Sequence, residues 1–145
     1  MRVHSIDHVE LFVSDRYAAA AWYRLALGLE IVPSFERWAS DPRGPLMIAT
    51  ADGAGKLALF EGPASEAPAT QGFRRVAFGV SGEDFLRFNK EVAQRDLRNK
   101  DGAALKSLEV VDHEESYSVY FRDPWGHALE VTTYDVSLVK AALNQ

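Results

Sequence analysis

Cysteine is absent from the 145 residues. That one gap excludes disulfides, thiolate zinc sites, iron–sulfur clusters and a cysteine nucleophile together. Any metal would have to be held by imidazole and carboxylate. Long apolar runs are also missing, and no window approaches the roughly 18 residues of a membrane span. The opening segment, Met1 to Asp7, lacks the apolar stretch of a signal peptide, so a soluble, cytoplasmic protein is expected. A basic block is missing as well. Sixteen Lys plus Arg stand against twenty-one Asp plus Glu, a net charge of −5, which argues against nucleic acid or an anionic membrane as partner. Several chemistries lack their motifs. Gly53-Ala-Gly-Lys56 is not a phosphate loop, because Thr50 and Leu57 stand where Gly and Ser or Thr are needed. Gly79-Val-Ser-Gly-Glu83 lacks the last glycine of a nucleophile elbow. There is no H-E-x-x-H, EF-hand loop or dinucleotide fingerprint.

What is present is the balance of a globular domain, 47% hydrophobic and 26% charged. Ile6 to Val13 is rich in β-branched and aromatic residues and reads as a strand. Alternation puts His8, Glu10 and Phe12 on one face and Val9, Leu11 and Val13 on the other. A helix follows, capped by Ser14 or Asp15, with Ala18, Ala21, Trp22 and Leu25 at helical spacing and Gly28 as its stop. Strands are expected over Leu29–Phe35, Leu46–Thr50 and Lys56–Glu61, with loops between. Residues 63–72 lie in a Pro-, Ala- and Gly-rich linker.

The pattern then restarts. Arg74–Val80 reads as a strand and Glu83–Asp96 as a helix with Phe85, Phe88 and Val92 inward. Ser107–Val111, Tyr117–Arg122 and His127–Thr133 read as strands. Arg98–Lys106 reads as a mobile polar loop, and Val136–Leu143 as a short helix. His8 to Ser14 overlays Arg75 to Ser81, and Leu57–Phe60 overlays Leu129–Thr132, as in an internal repeat. The expected fold is α+β: two tandem βαβββ modules, residues 1–62 and 73–135 with a tail at 136–145. They would form a curved mixed sheet around a concave cleft, helices outside. Exposed edge strands invite pairing with another chain, and a homodimer is expected.

The I-D-H-V-E-L-F-V strand, the W-Y-R-L-A-L-G-L-E helix end and the Y-F-R-D-P-W-G-H-A-L-E-V finish resemble the vicinal oxygen chelate superfamily. That group includes glyoxalase I, the bleomycin- and fosfomycin-resistance proteins and the extradiol dioxygenases. The resemblance covers Ile6 to about Tyr134. It implies a cleft in which members that catalyse hold a divalent metal through the first and last strands of each module. Carried over, His8 and Glu130 match two ligand positions, whereas Arg75 and Ala58 stand at the other two. Arginine has no lone pair to donate to a metal, and its charge repels a dication.

Two readings follow. In the first, the cleft binds a small organic molecule, anionic or aromatic, with His8, Glu10, Arg75 and Glu130 as polar anchors. Arg75 then pairs with Glu130 in place of the usual complete metal site. In the second, a divalent-metal-dependent lyase, isomerase or dioxygenase uses His8 and Glu130 with a non-standard third ligand. Glu10 is its first candidate; Glu61, Tyr117, Tyr134 and His4 follow. A dimerising scaffold with a degenerate site is a third option. His113-Glu114-Glu115 reads as a solvated turn. One of Tyr120 and Phe121 should line the cleft, and Trp38 sits in a loop as a lid or a dimer contact.

Overall fold

Strand β1 (His8–Val13) turns Leu11 and Val13 into a core and leaves His8, Glu10 and Phe12 exposed, the alternation of a half-covered sheet. The computed structural model describes residues 6, 8–62, 75–114 and 116–144; the expected linker, 63–72, and His4 lie outside them. Helix α1 (Arg16–Leu27) starts where the Asp15 carboxylate accepts the Ala18 N–H at 2.9 Å. It ends at Gly28, whose φ of +73° is a left-handed stop. Trp22 is buried as expected, but Ala18, Ala21 and Leu25 are exposed, and Ala19, Ala20, Tyr23 and Ala26 face the core instead. The run Ala18 to Ala21 carries no phase of its own. The adjacent Trp22 and Tyr23 rings set it, packed edge to face at 4.9 Å.

The second strand is much shorter than expected. β2 is only Glu30–Ile31, and a 3-10 helix, Pro33–Ser40, takes over. Pro33 has no N–H to offer a ladder and sits at the start of that helix, where none is needed. β3 (Leu46–Ala49) and β4 (Lys56–Glu61) complete a sheet of order β1-β4-β3-β2, parallel at β1/β4 and antiparallel elsewhere. Tyr23, Ile48 and Leu59 fill its core.

The second module repeats the plan. β5 (Val76–Gly79), β6 (Val111–Asp112), β7 (Tyr117–Arg122) and β8 (Ala128–Thr133) form a sheet of order β5-β8-β7-β6, again parallel between its first pair. Helix α2 (Gly82–Lys90) is capped by Ser81, whose hydroxyl accepts the Asp84 N–H at 3.2 Å. It buries Phe85 and Phe88 as expected, with Phe88 5.5 Å from Phe121. α2 stops sooner than expected and gives way to a 3-10 turn, Val92–Gln94. Helix α3 (Val136–Leu143) spans the residues expected of it. The Asp135 carboxylate before it accepts the Gly82 N–H at 2.6 Å, tying α3 to the start of α2. A β-carbon at Gly82 would lie 2.8 Å from that of Asp135, so the close approach needs glycine.

Two expectations fail between α2 and β7. The 98–106 stretch is bridged: Arg98 exchanges backbone hydrogen bonds with Arg122 at 2.9 and 2.8 Å and pairs with Ala104. The strand expected over Ser107–Val111 shrinks to Val111–Asp112, because Arg98 already occupies the end of β7.

The repeat is visible in the registers. Val9 lies across from Leu57, and Val76 from Leu129. Arg75, just before Val76, therefore corresponds to His8, and Glu130 to Ala58.

Candidate functional site

Strand register assembles the face of the first module's sheet opposite Leu11 and Val13. His8, Glu10 and Phe12 lie across from Lys56, Ala58 and Phe60; Met47 and Ala49 follow across from Ala58 and Lys56. Above this face lies a pocket of about 360 Å³ lined by His8, Glu10, Met47, Lys56, Ala58 and Phe60 on the strands. Phe35 and Trp38 of the 3-10 helix complete it, their rings stacked at 4.5 Å and 7°. His8 Nε2 lies 3.5 Å from a Glu10 carboxylate oxygen.

The segment carrying Trp38 is held from below. Arg16 is 7% exposed at the start of α1. Its guanidinium donates to the carbonyls of Ala39 and Asp41, both at 3.2 Å, and of Gly44. Glu61 lies 3.5 Å from its Nε. Gly44 is fixed by crowding, since a β-carbon there would fall on the Trp38 carbonyl oxygen. The sequence marks none of this: nothing in it sets Arg16 apart, and Trp38 reads as part of a loop.

The second module's corresponding face is polar. Arg75 Nη1 lies 3.6 Å from a Glu130 oxygen, with the two side chains 28% and 17% exposed. The guanidinium also stacks 4.3 Å from the centroid of Tyr120, Glu130's neighbour across β7/β8. The Tyr120 hydroxyl and His113 Nε2 are hydrogen-bonded at 2.7 Å. Tyr120 therefore faces the Glu130 side, while Phe121 is buried against Phe88. The exposed His113 is more than a solvated turn residue, because it extends the row Glu130–Arg75–Tyr120–His113. Its link to Tyr120 crosses strands and has no mark in the sequence.

The remaining candidates are committed elsewhere or open to solvent. Glu61 faces Arg16, and the Tyr117 hydroxyl donates to Asp112 at 2.9 Å. Tyr134 is 77% exposed. His127 Nδ1 lies 2.7 Å from the buried Asp123 carboxylate in the Asp-Pro-Trp-Gly turn.

Asp112 is held below the ordinary carboxylate value, first because it accepts the Glu114 N–H and next because it accepts the Tyr117 hydroxyl. The same bond pushes the Tyr117 phenol up. A carboxyl that titrates lower folded than unfolded contributes fully above its unfolded pKa. That contribution fades as pH falls through the folded value. Asp112→Asn is therefore expected to flatten that part of the acid limb of stability, measured by urea unfolding across the acidic range. An acid limb identical to wild type would contradict the assignment.

Among the described residues the donor set does not fit a divalent ion. Among the described residues no three His, Asp or Glu side chains are grouped to hold one, whereas catalytic sites commonly use three protein ligands. Glu130 faces a guanidinium, and Ala58 has no donor atom at the position repeating Glu130.

Two βαβββ units, with polar groups on the exposed faces of their sheets, define the class of this molecule. The sequence model of the Glyoxalase/Bleomycin resistance protein/Dioxygenase superfamily matches residues 5–131, and the chain belongs to that superfamily. Solved structures agree on the fold. An integron cassette protein, HFX_CASS4, from the mobile metagenome of the Halifax Harbour sewage outfall is 22% identical with a TM-score of 0.66, covering 90% of this chain and 99% of its own. The fosfomycin resistance protein FosX of Listeria monocytogenes is 14% identical with a TM-score of 0.67, covering 95% and 99%. A glyoxalase/bleomycin resistance protein/dioxygenase of Alicyclobacillus acidocaldarius is 16% identical with a TM-score of 0.61, covering 96% and 98%. No protein with a curated description matches the chain.

Proposed function

We propose that this protein binds a small organic molecule without a complete divalent-metal site. Each module's sheet face carries its own polar groups for such a molecule: His8 and Glu10 on the first, Arg75 and Glu130 on the second. The observation that carries this reading is the Arg75–Glu130 ion pair. It places a permanent cation at the position repeating His8, beside the carboxylate that matches a metal ligand of the superfamily. Arginine stays protonated and offers donors only, so it neutralises the Glu130 carboxylate, the charge a metal ion would otherwise compensate.

Metal analysis of the purified chain tests this. Wild type is expected to hold no stoichiometric Mn, Fe, Ni or Zn after dialysis against each ion. Arg75→His, which removes the cation and adds an imidazole, is expected to gain binding. Stoichiometric metal in wild type that is lost in both His8→Ala and Glu130→Ala would overturn the reading in favour of a metal-dependent lyase, isomerase or dioxygenase.

A further inference from the structure

We propose that the first module's pocket takes a flat aromatic molecule of one or two rings, packed against the Phe35–Trp38 pair with its polar edge toward His8, Glu10 and Lys56. This rests on the reading that the protein binds a small organic molecule, and it assigns that molecule's chemical class.

Size sets the first limit. About 360 Å³ is near the lower end of the roughly 300–1,000 Å³ typical of small-ligand pockets. A fused two-ring system fits within it, and a ligand of many rings does not. Chemistry sets the second. The strand floor offers Met47, Ala58 and Phe60, all apolar. The charged groups gather where β1 and β4 begin, with His8 across from Lys56 and Glu10 two residues on. The ligand is thus apolar over most of its surface and polar at one end.

Shape sets the third. Phe35 and Trp38 both line the pocket and stack within 7° of parallel, and such aromatic pairs attract further rings in offset or edge-to-face contact. Trp38 keeps 41% of its surface uncovered, an apolar area available for such a contact. The wall is also rigid before any ligand arrives. Arg16 draws the carbonyls at the end of the 3-10 helix toward α1, and Gly44 lets the chain pass against the Trp38 backbone. A prearranged wall reduces the ordering that binding would otherwise require.

The test is calorimetric titration of the full chain with naphthoate, a flat two-ring carboxylate, against decanoate, an aliphatic one. Single-site binding of naphthoate is expected, with decanoate at least about tenfold weaker. Trp38→Leu is expected to weaken naphthoate by about tenfold, and Trp38→Phe, which keeps a ring, by much less. Circular dichroism melts of both variants identify any loss due to misfolding, and the Trp38→Phe comparison remains decisive if Trp38→Leu fails to fold. Equal binding of the two carboxylates, equal binding by Trp38→Leu, or no saturable naphthoate binding would each overturn the proposal. So would a dimer that Trp38→Leu splits and naphthoate leaves intact, since the face would then be an interface between copies. Metal analysis of the same preparations separates this from the reading beneath it. Bound metal with naphthoate selectivity intact removes only the metal-free claim, whereas lost selectivity in metal-free protein removes only the aromatic one.

Discussion

Replacing Arg16 with methionine is expected to lower the free energy of unfolding by about 3 kcal/mol, although Met retains most of the side chain's apolar stem. The guanidinium donates to three main-chain carbonyls and lies beside Glu61. Hydrogen bonds to a charged group contribute about 1.5–3 kcal/mol each. The full sum is not expected, because the freed carbonyls belong to a surface loop that water can reach. The Ala39 carbonyl sits deepest and should carry most of the loss. Arg16→Lys should recover only part of it, since one ammonium cannot span three acceptors held by a planar fork. Denaturant unfolding with a common slope measures the difference. Naphthoate affinity should fall in parallel, because the wall that Arg16 holds would lose its fixed position. A methionine variant within 0.5 kcal/mol of wild type, about the spread of ordinary surface changes, would show that the clamp contributes nothing.

Arg75→Met is expected to cost about 1–2 kcal/mol, with much of that loss recovered in the double variant Arg75→Met/Glu130→Leu. Removing one partner of a fully buried pair costs about 3–5 kcal/mol. Here Arg75 and Glu130 are 28% and 17% exposed and 3.6 Å apart, so water softens the loss, and the contact is Coulombic rather than a tight fork. Arg75 also covers the Tyr120 ring, and methionine retains part of that packing. The double variant distinguishes an unpaired carboxylate from lost packing. If it is no more stable than Arg75→Met alone, the ion pair is not what stabilises this face.

Strands flanked by turn-forming residues were legible in the sequence. Lys56–Glu61 and Tyr117–Arg122 are bounded as expected, and the repeat overlay is reproduced residue for residue in the two parallel registers. The Arg75–Glu130 contact was also legible, because it follows from that register and from the need of a half-buried carboxylate for a partner. The face of α1 was not, since four alanines in a row leave the period open to two neighbouring rings. The wall of the pocket was not legible either. Phe35 and Trp38 reach it only because Pro33 ends the strand and the chain coils, and Arg16 reveals its role only through carbonyls 23 to 28 residues away.

The brevity of β2 and β6 has a consequence for handling the protein in concentrated solution. Each borders its sheet with only two paired residues. A stray extended peptide laid against either margin finds too short a template for a sustained ladder. Aggregation nucleated at those two margins should accordingly be slow, and conditions chosen to suppress precipitation can concentrate on exposed apolar side chains such as Leu25, Leu138 and Leu143.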